Sequence, residues 1–264
     1  MSSLEDAVAV LACFSLEEPA LTQAELTRRV RRPKATISRV MRTLRESGIL
    51  EFEPTRRLYS PGIRLFELGQ ICRSNHDFLD MVQKRLEDIC RIGRHTGYIS
   101  VFDGTQMVAL RIVRGSSPLA IAAVPGHRMP LHATSSGRAM LALLSDQEWR
   151  DRVPDPLPFV SPNSPLDHDA LLERIQKIRK TGRSSASSET LHGVASQGIA
   201  LRDPESGEII GIAVSYPESM ATDELKQMIS DLLNQMKSEL TRRGTRPDLP
   251  FDRQLQALEV HGEL

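Results

Sequence analysis

Apolar residues recur along the first part of the chain at the spacing of packed helices, and beyond Gly97 many fall on alternate positions instead. Leu4, Val8, Leu11 and Ala12 give one face of a first helix, with Ser3 and Asp6 at its start and Pro19 beyond its end. Thr22 followed by Glu25 is a capping box, and Leu21 with Leu26 a hydrophobic staple, so a second, short helix begins there and ends near Val30. A tight connection through Arg31 and Arg32 leads to Ile37, Val40, Met41 and Leu44, the i, i+3, i+4, i+7 stripe of a third helix; Pro33 lies near its start and Gly48 stops it. Ile49 to Glu53 and Arg57 to Tyr59 read as two strands around Pro54-Thr55-Arg56. Three helices with a helix-turn-helix spacing, then a basic-tipped hairpin, predict a winged helix-turn-helix domain.

After Pro61-Gly62, Leu79, Val82, Leu86 and Ile89 mark a long helix from about His76 to Arg94; the 3-4-3 spacing suits a dimer seam or core packing equally. Tyr98 to Phe102 and Met107 to Val113 then form a hairpin about Asp103-Gly104, and Leu119 to Val124 is a further short strand. A loop, Pro125 to Thr134, feeds a helix from Ser135 to Leu144. Pro154 to Pro165 reads as an irregular surface loop. Asp167 caps a helix carrying Leu171, Leu172, Ile175 and Ile178 and ending at Gly182. Strands at 187–189, 195–201 and 209–215 follow, then an amphipathic helix from Leu225 to Leu240 and a frayed end from Arg242. The second part is therefore an α+β sheet domain, and no internal repeat or phosphate-binding glycine loop is present in the sequence.

Charge changes the picture locally. The 264-residue chain is formally neutral, yet Arg28 to Arg45 holds eight Lys and Arg residues and no Asp or Glu. Such a patch gains free energy from counterion release against a polyanion, which points to double-stranded DNA; a solvated basic face is the bland alternative. Arg39 and Thr36 are expected at base edges and Lys34, Ser38, Arg42, Arg56 and Arg57 at phosphates or the flanking groove. A homodimer would place two such helices on a roughly palindromic site. With 40% hydrophobic and 26% charged residues the composition is that of a globular protein with material for two cores. The expected division is 1–70 for the winged helix, 71–245 for the second domain and 246–264 for a tail. Cys13, Cys72 and Cys90 are too scattered for a disulfide framework or zinc site. Residues 1–6 lack a basic run and Val8 to Ala12 is too short for a membrane span, so the expected location is the cytoplasm, with no membrane partner.

A second site begins at Ser135-Ser136-Gly137. Exposed N–H groups at a helix start free of bulky side chains can hold an anion; the alternative is that these residues merely cap and pack. Catalysis is the rival class, because His127, His132, His168 and His192 lie in this half. No pair has ligand spacing and no nucleophile elbow is present, so neither enzyme activity, nor a metal, nor a cofactor is expected. A winged helix used for protein or RNA contacts is a third reading.

Three blocks carry a resemblance: Tyr59 to Gly69, Gly126 to Ala142, and Glu189 with Gly193-Val194 ahead of Arg202-Asp203. With them the chain resembles, over nearly its whole length, the IclR family of bacterial transcriptional regulators. The resemblance implies a winged helix, a linker helix and a GAF-like effector-binding domain, acting as a homodimer or homotetramer on paired half-sites. It implies an effector pocket lined by Ile121, Met129, Thr134, Ser135, Ser136, Gly137, Ser196 and Ser215. Gln197 and Gly198 stand where an apolar residue and Ala are common, which predicts a more polar or reshaped pocket floor. Helix-start amides with several hydroxyls favour a small organic acid, aromatic ones included.

Overall fold

A computed structural model describes residues 2–73, 77–116 and 124–243. The chain divides into two compact units, residues 1–77 and 78–264, each with its own apolar core.

The first unit contains α1 (Ser3–Leu11), β1 (Leu21–Thr22), α2 (Gln23–Val30), α3 (Lys34–Glu46), β2 (Leu50–Glu53), β3 (Leu58–Pro61) and α4 (Ile63–Arg73). The α1 cap is Ser2 with Glu5, not Ser3 with Asp6. Asp6 is buried instead and its Oδ1 holds Arg32 Nε at 3.0 Å, tying α1 to the turn ahead of α3. The capping box at α2 is present: Thr22 N–H donates to Glu25 at 2.8 Å and Glu25 N–H to Thr22 Oγ1 at 3.2 Å, while Leu21 and Leu26 are buried beside it. Arg31 closes α2 in the left-handed region (φ 55°). Gly48, at φ 72°, ends α3 in a Schellman arrangement: Gly48 N–H donates to the Arg45 carbonyl and Ile49 N–H to that of Leu44. The hairpin of β2 and β3 gains a third strand that the sequence pattern did not reveal, since two-residue β1 pairs β3 with Leu21 opposite Tyr59. Arg57, expected to open the second strand, lies in the turn at φ 55°.

The second unit comprises α5 (Asp77–Gly93), β4 (Thr96–Asp103), β5 (Gln106–Val113), β6 (Arg128–Pro130), α6 (Ser135–Leu141), α7 (Asp146–Arg152), α8 (His168–Thr181), β7 (Ser184–Ser187), β8 (Val194–Arg202), β9 (Ile209–Pro217) and α9 (Asp223–Arg243). Its antiparallel sheet runs β6-β5-β4-β9-β8-β7. Alternation along each strand sends Ile99, Val101, Ile199, Leu201, Ile210, Ile212 and Val214 to one face, where α5 and α9 complete the core. The other face carries α6, and beyond it Leu131, Leu141, Trp149, Val153, Leu171 and Ile175 form a second apolar layer with α7 and α8. Two expectations change. Part of the 125–134 loop is β6, pairing β5 with Met107 opposite Met129, and the strand expected at 187–189 lies at 184–187. Short edge strands rich in Ser, Arg and Pro have too few apolar positions to show a period. The strand expected over Leu119 to Val124, the effector residue Ile121 and the tail 246–264 lie outside the described residues.

Candidate functional site

On α3 the residues Ile37, Val40, Met41 and Leu44 are buried, so at about 100° per residue the opposite crest carries Ala35, Ser38, Arg39 and Arg42, all exposed. Lys34 and Arg45 are exposed near the two ends, whereas Thr36 is half-buried on the flank. Of the eight basic residues from Arg28 to Arg45, two serve the fold. Arg29 grips Glu18 through two nitrogens (2.9 and 2.5 Å), which holds the Glu18 carboxyl below its ordinary pKa, and Arg32 grips Asp6. Arg28, Arg31, Lys34, Arg39, Arg42 and Arg45 make no salt bridge among the described residues, and neither does Arg57 in the wing. Arg56 has only Glu53, at 3.7 Å.

Two open troughs flank α3. One, of about 740 Å³, is bordered by Gln23, Thr27, Arg28, Lys34, Arg56, Arg57 and Tyr59; the other, of about 630 Å³, by Asp6, Arg32, Thr36, Arg39, Arg42 and Thr43. The helix therefore stands as a cationic ridge, and a helix about 10–12 Å across matches a major groove about 12 Å wide. Pro33 caps α3 without a side-chain bond, and the Thr36 and Ile37 N–H groups return to the Pro33 carbonyl, so Lys34 stands at an otherwise uncapped, positive helix end. Ala35 was missed in the sequence, where a lone small apolar residue carries no signal; on the crest it can meet a thymine methyl.

In the second unit a cavity of about 70 Å³ lies between the sheet and the start of α6. Strand register builds its floor. Ser196 on β8 pairs with Ser215 on β9 and Ala186 on β7, and Ala213 pairs with Tyr98 on β4. Met107, Met129, Thr134, Ser135 and Ser136 form one wall, and Glu189, Thr190, Leu191 and Val194 another. Ser135 Oγ and Ser196 Oγ are 2.8 Å apart. The Tyr98 hydroxyl is buried with no hydrogen-bond partner among the described residues, and burial pushes its pKa up to about 12, so it stays a donor. The cavity thus joins Met129, Thr134, Ser135, Ser136, Ser196 and Ser215, six of the positions implied by the family resemblance.

Gly137 is a correction: it does not line the cavity. Its N–H donates to Thr134 Oγ1 at 3.0 Å, and a Cβ there would stand 2.4 Å from the Leu131 carbonyl oxygen. Gly137 is a packing residue that lets α6 turn inward. The floor also departs from expectation. Gln197 points to the other face, donating to the Tyr216 hydroxyl (3.1 Å) and accepting from Ser230 (3.3 Å). Gly198 does face α6, and a Cβ would come within 2.7 Å of Ser135 C and Ser136 N, so this glycine draws the helix start down onto the sheet. Tyr98, Met107 and Glu189 were not assigned to the pocket from sequence, because the strand order that brings them together is invisible in it. Among the described residues no group of three or more His, Cys, Asp or Glu could hold a metal ion, and no helix is long and apolar enough to cross a membrane.

Known proteins resemble both units. Residues 3–54 match the model of the IclR helix-turn-helix domain, and residues 71–242 that of the bacterial transcriptional regulator IclR C-terminal domain. The HTH-type transcriptional regulator KdgR of Escherichia coli is 24% identical over 242 residues, 89% of this chain and 90% of its own. A crystal structure of a putative IclR transcriptional regulator from Silicibacter superposes with a TM-score of 0.81 at 24% identity, covering 94% of this chain and 98% of that one. An IclR homolog from Microbacterium hydrocarbonoxydans, crystallised with 4-hydroxybenzoate, gives 0.75 at 24% identity, covering 91% and 99%.

Proposed function

Given that the chain belongs to the IclR family of transcriptional regulators, with an N-terminal helix-turn-helix domain and a C-terminal effector-binding domain, we propose how its own residues divide the work. The crest of α3, with Arg39 foremost, reads base edges in a major groove. Ser38 and Arg42 adjoin it, Thr36 contacts from the flank, and Lys34, Arg56 and Arg57 hold phosphates. The observation that carries this is the charge of the ridge: Arg39 and Arg42 are exposed and in no salt bridge among the described residues, while Arg29 and Arg32 are spent within the fold.

The protein acts as a homodimer or a dimer of dimers on a roughly palindromic operator in the bacterial cytoplasm, without enzymatic activity of its own. The effector is a small organic acid seated against Tyr98, Ser135, Ser196 and Ser215. It regulates by binding more tightly to one arrangement of the oligomer, DNA-competent or not, than to the other. The 4-hydroxybenzoate bound by the Microbacterium homolog supports this class of ligand.

The test is Arg39→Ala, measured on selected operator and on random duplex over a series of salt concentrations. The expected loss is about 1–3 kcal/mol on the operator, with relaxed preference at one base position and little change on random DNA. Equal loss on both duplexes would move Arg39 to the phosphates.

A further inference from the structure

One charged side chain, Glu189, is among the residues that line the cavity. Glu189, from the turn after β7, is 4% exposed. Its Oε2 accepts from Arg138 Nη1 at 2.5 Å and its Oε1 from Nη2 at 2.9 Å. The same two nitrogens donate to the carbonyls of His132 (2.7 Å) and Ser185 (2.6 Å), so all four Nη protons are committed. Arg138 is 1% exposed and is not among the lining residues, while Arg174 stands 3.8 Å from Oε1. The guanidinium therefore neutralises Glu189 and is itself unable to reach a ligand. Each carboxylate oxygen has about two acceptor sites and has used one on Arg138, so Glu189 can accept further bonds and can give none.

The facing side is different in kind. The Tyr98 hydroxyl has no hydrogen-bond partner among the described residues, and Ser135, Ser196 and Ser215 line the same cavity, with Ser135 and Ser196 hydroxyls 2.8 Å apart. In the sheet β9 and β8 separate β4, which carries Tyr98, from β7, which precedes Glu189, so the two backbones lie about 14 Å apart. The cavity lining thus combines hydroxyl donors on β4, β8, β9 and α6 with one carboxylate acceptor beyond β7.

We propose that Glu189 sets the pocket's specificity by selecting an effector that carries a hydroxyl group as well as a carboxylate. This rests on the organic-acid reading above. The effector's carboxylate accepts from Tyr98 and the serine hydroxyls, and its hydroxyl donates to Glu189. A simple acid leaves the Glu189 lone pairs unpaired, and an acid bound the other way round sets a second acceptor, with no proton to give, against Glu189. An ammonium gains little, because Arg138 already cancels the carboxylate's charge. The cavity of about 70 Å³ is roughly half the ~150 Å³ that accommodates benzene, so a short aliphatic hydroxy acid fits it as it stands.

Calorimetry on the full chain with matched pairs decides the matter: lactate against propionate, glycolate against acetate, and lactate against alanine. The expected result is that each hydroxy acid binds at least about tenfold more tightly than its deoxy partner, and lactate more tightly than alanine. In Glu189→Gln the preference should fall to within about threefold. If that variant does not fold, the wild-type pairs still decide. Propionate binding as well as lactate, alanine binding better, or a folded Glu189→Gln that keeps the preference would each overturn the assignment of Glu189 while leaving the acid reading in place. Binding of neither member of any pair overturns both.

Discussion

Replacing Arg138 by Met removes the charge and keeps most of the side chain's length, so the variant isolates the buried ion pair from simple loss of packing. Both partners are enclosed, at 1% and 3% side-chain exposure, and Arg138 makes four hydrogen bonds. Without it Glu189 is left, among the described residues, with Arg174 at 3.8 Å, and the carbonyls of His132 and Ser185 lose a charged donor. Breaking a buried pair by removing one partner costs about 3–5 kcal/mol, a large share of the ~5–15 kcal/mol that holds a domain together. Trp149 is the chain's single tryptophan, is fully buried and lies in the second unit, so its fluorescence during urea unfolding reports that unit alone. With a urea dependence of about 2 kcal/mol per molar, the midpoint should fall by roughly 2 M. The control is Arg138→Met with Glu189→Leu. Replacing a buried pair with apolar groups is often neutral or stabilising, so the double variant should recover most of the loss. A single variant that costs under about 1 kcal/mol, or a double variant no better than the single, would refute the account of this pair.

Gly62→Ala tests the junction after the wing. A Cβ there would stand 2.2 Å from the Gly48 carbonyl oxygen, so the substitution should cost the first unit about 1–3 kcal/mol and weaken DNA binding, read by hydrogen exchange over residues 1–77; unchanged protection would contradict the packing described. Acid should weaken the second unit through His95 and His132, whose pKa values burial depresses below the ordinary 6.5. The unfolded chain then binds more protons, so stability is complete above pH 6.5 and is lost as pH falls through the depressed values. The urea midpoint followed at Trp149 should fall from pH 7 to pH 5, and less steeply in His95→Asn; identical slopes would remove His95 from the explanation.

Much of the first unit is determined by short-range physics. A capping box spans four residues, a helical stripe about two turns and a Schellman stop six, so Thr22 with Glu25, the Ile37 to Leu44 stripe and Gly48 are readable without knowing what they pack against. Local charge density is equally a sequence property, and the ridge follows from it. What the sequence could not decide is which arginines remain available: Arg29 and Arg32 look like their neighbours until Glu18 and Asp6 arrive from other elements. In the second unit the alternation of β8 and β9 placed Ser196 and Ser215 on one face, and the helix-start serines were legible as a motif. The order β4-β9-β8-β7 decided the rest, because antiparallel pairing between distant strands sets which side chains share a cavity. That order brings Tyr98 and Glu189 to one cavity, turns Gln197 away from it and brings the α6 backbone down on Gly198. These are consequences of register and close approach between segments far apart in the chain, and no local period records them.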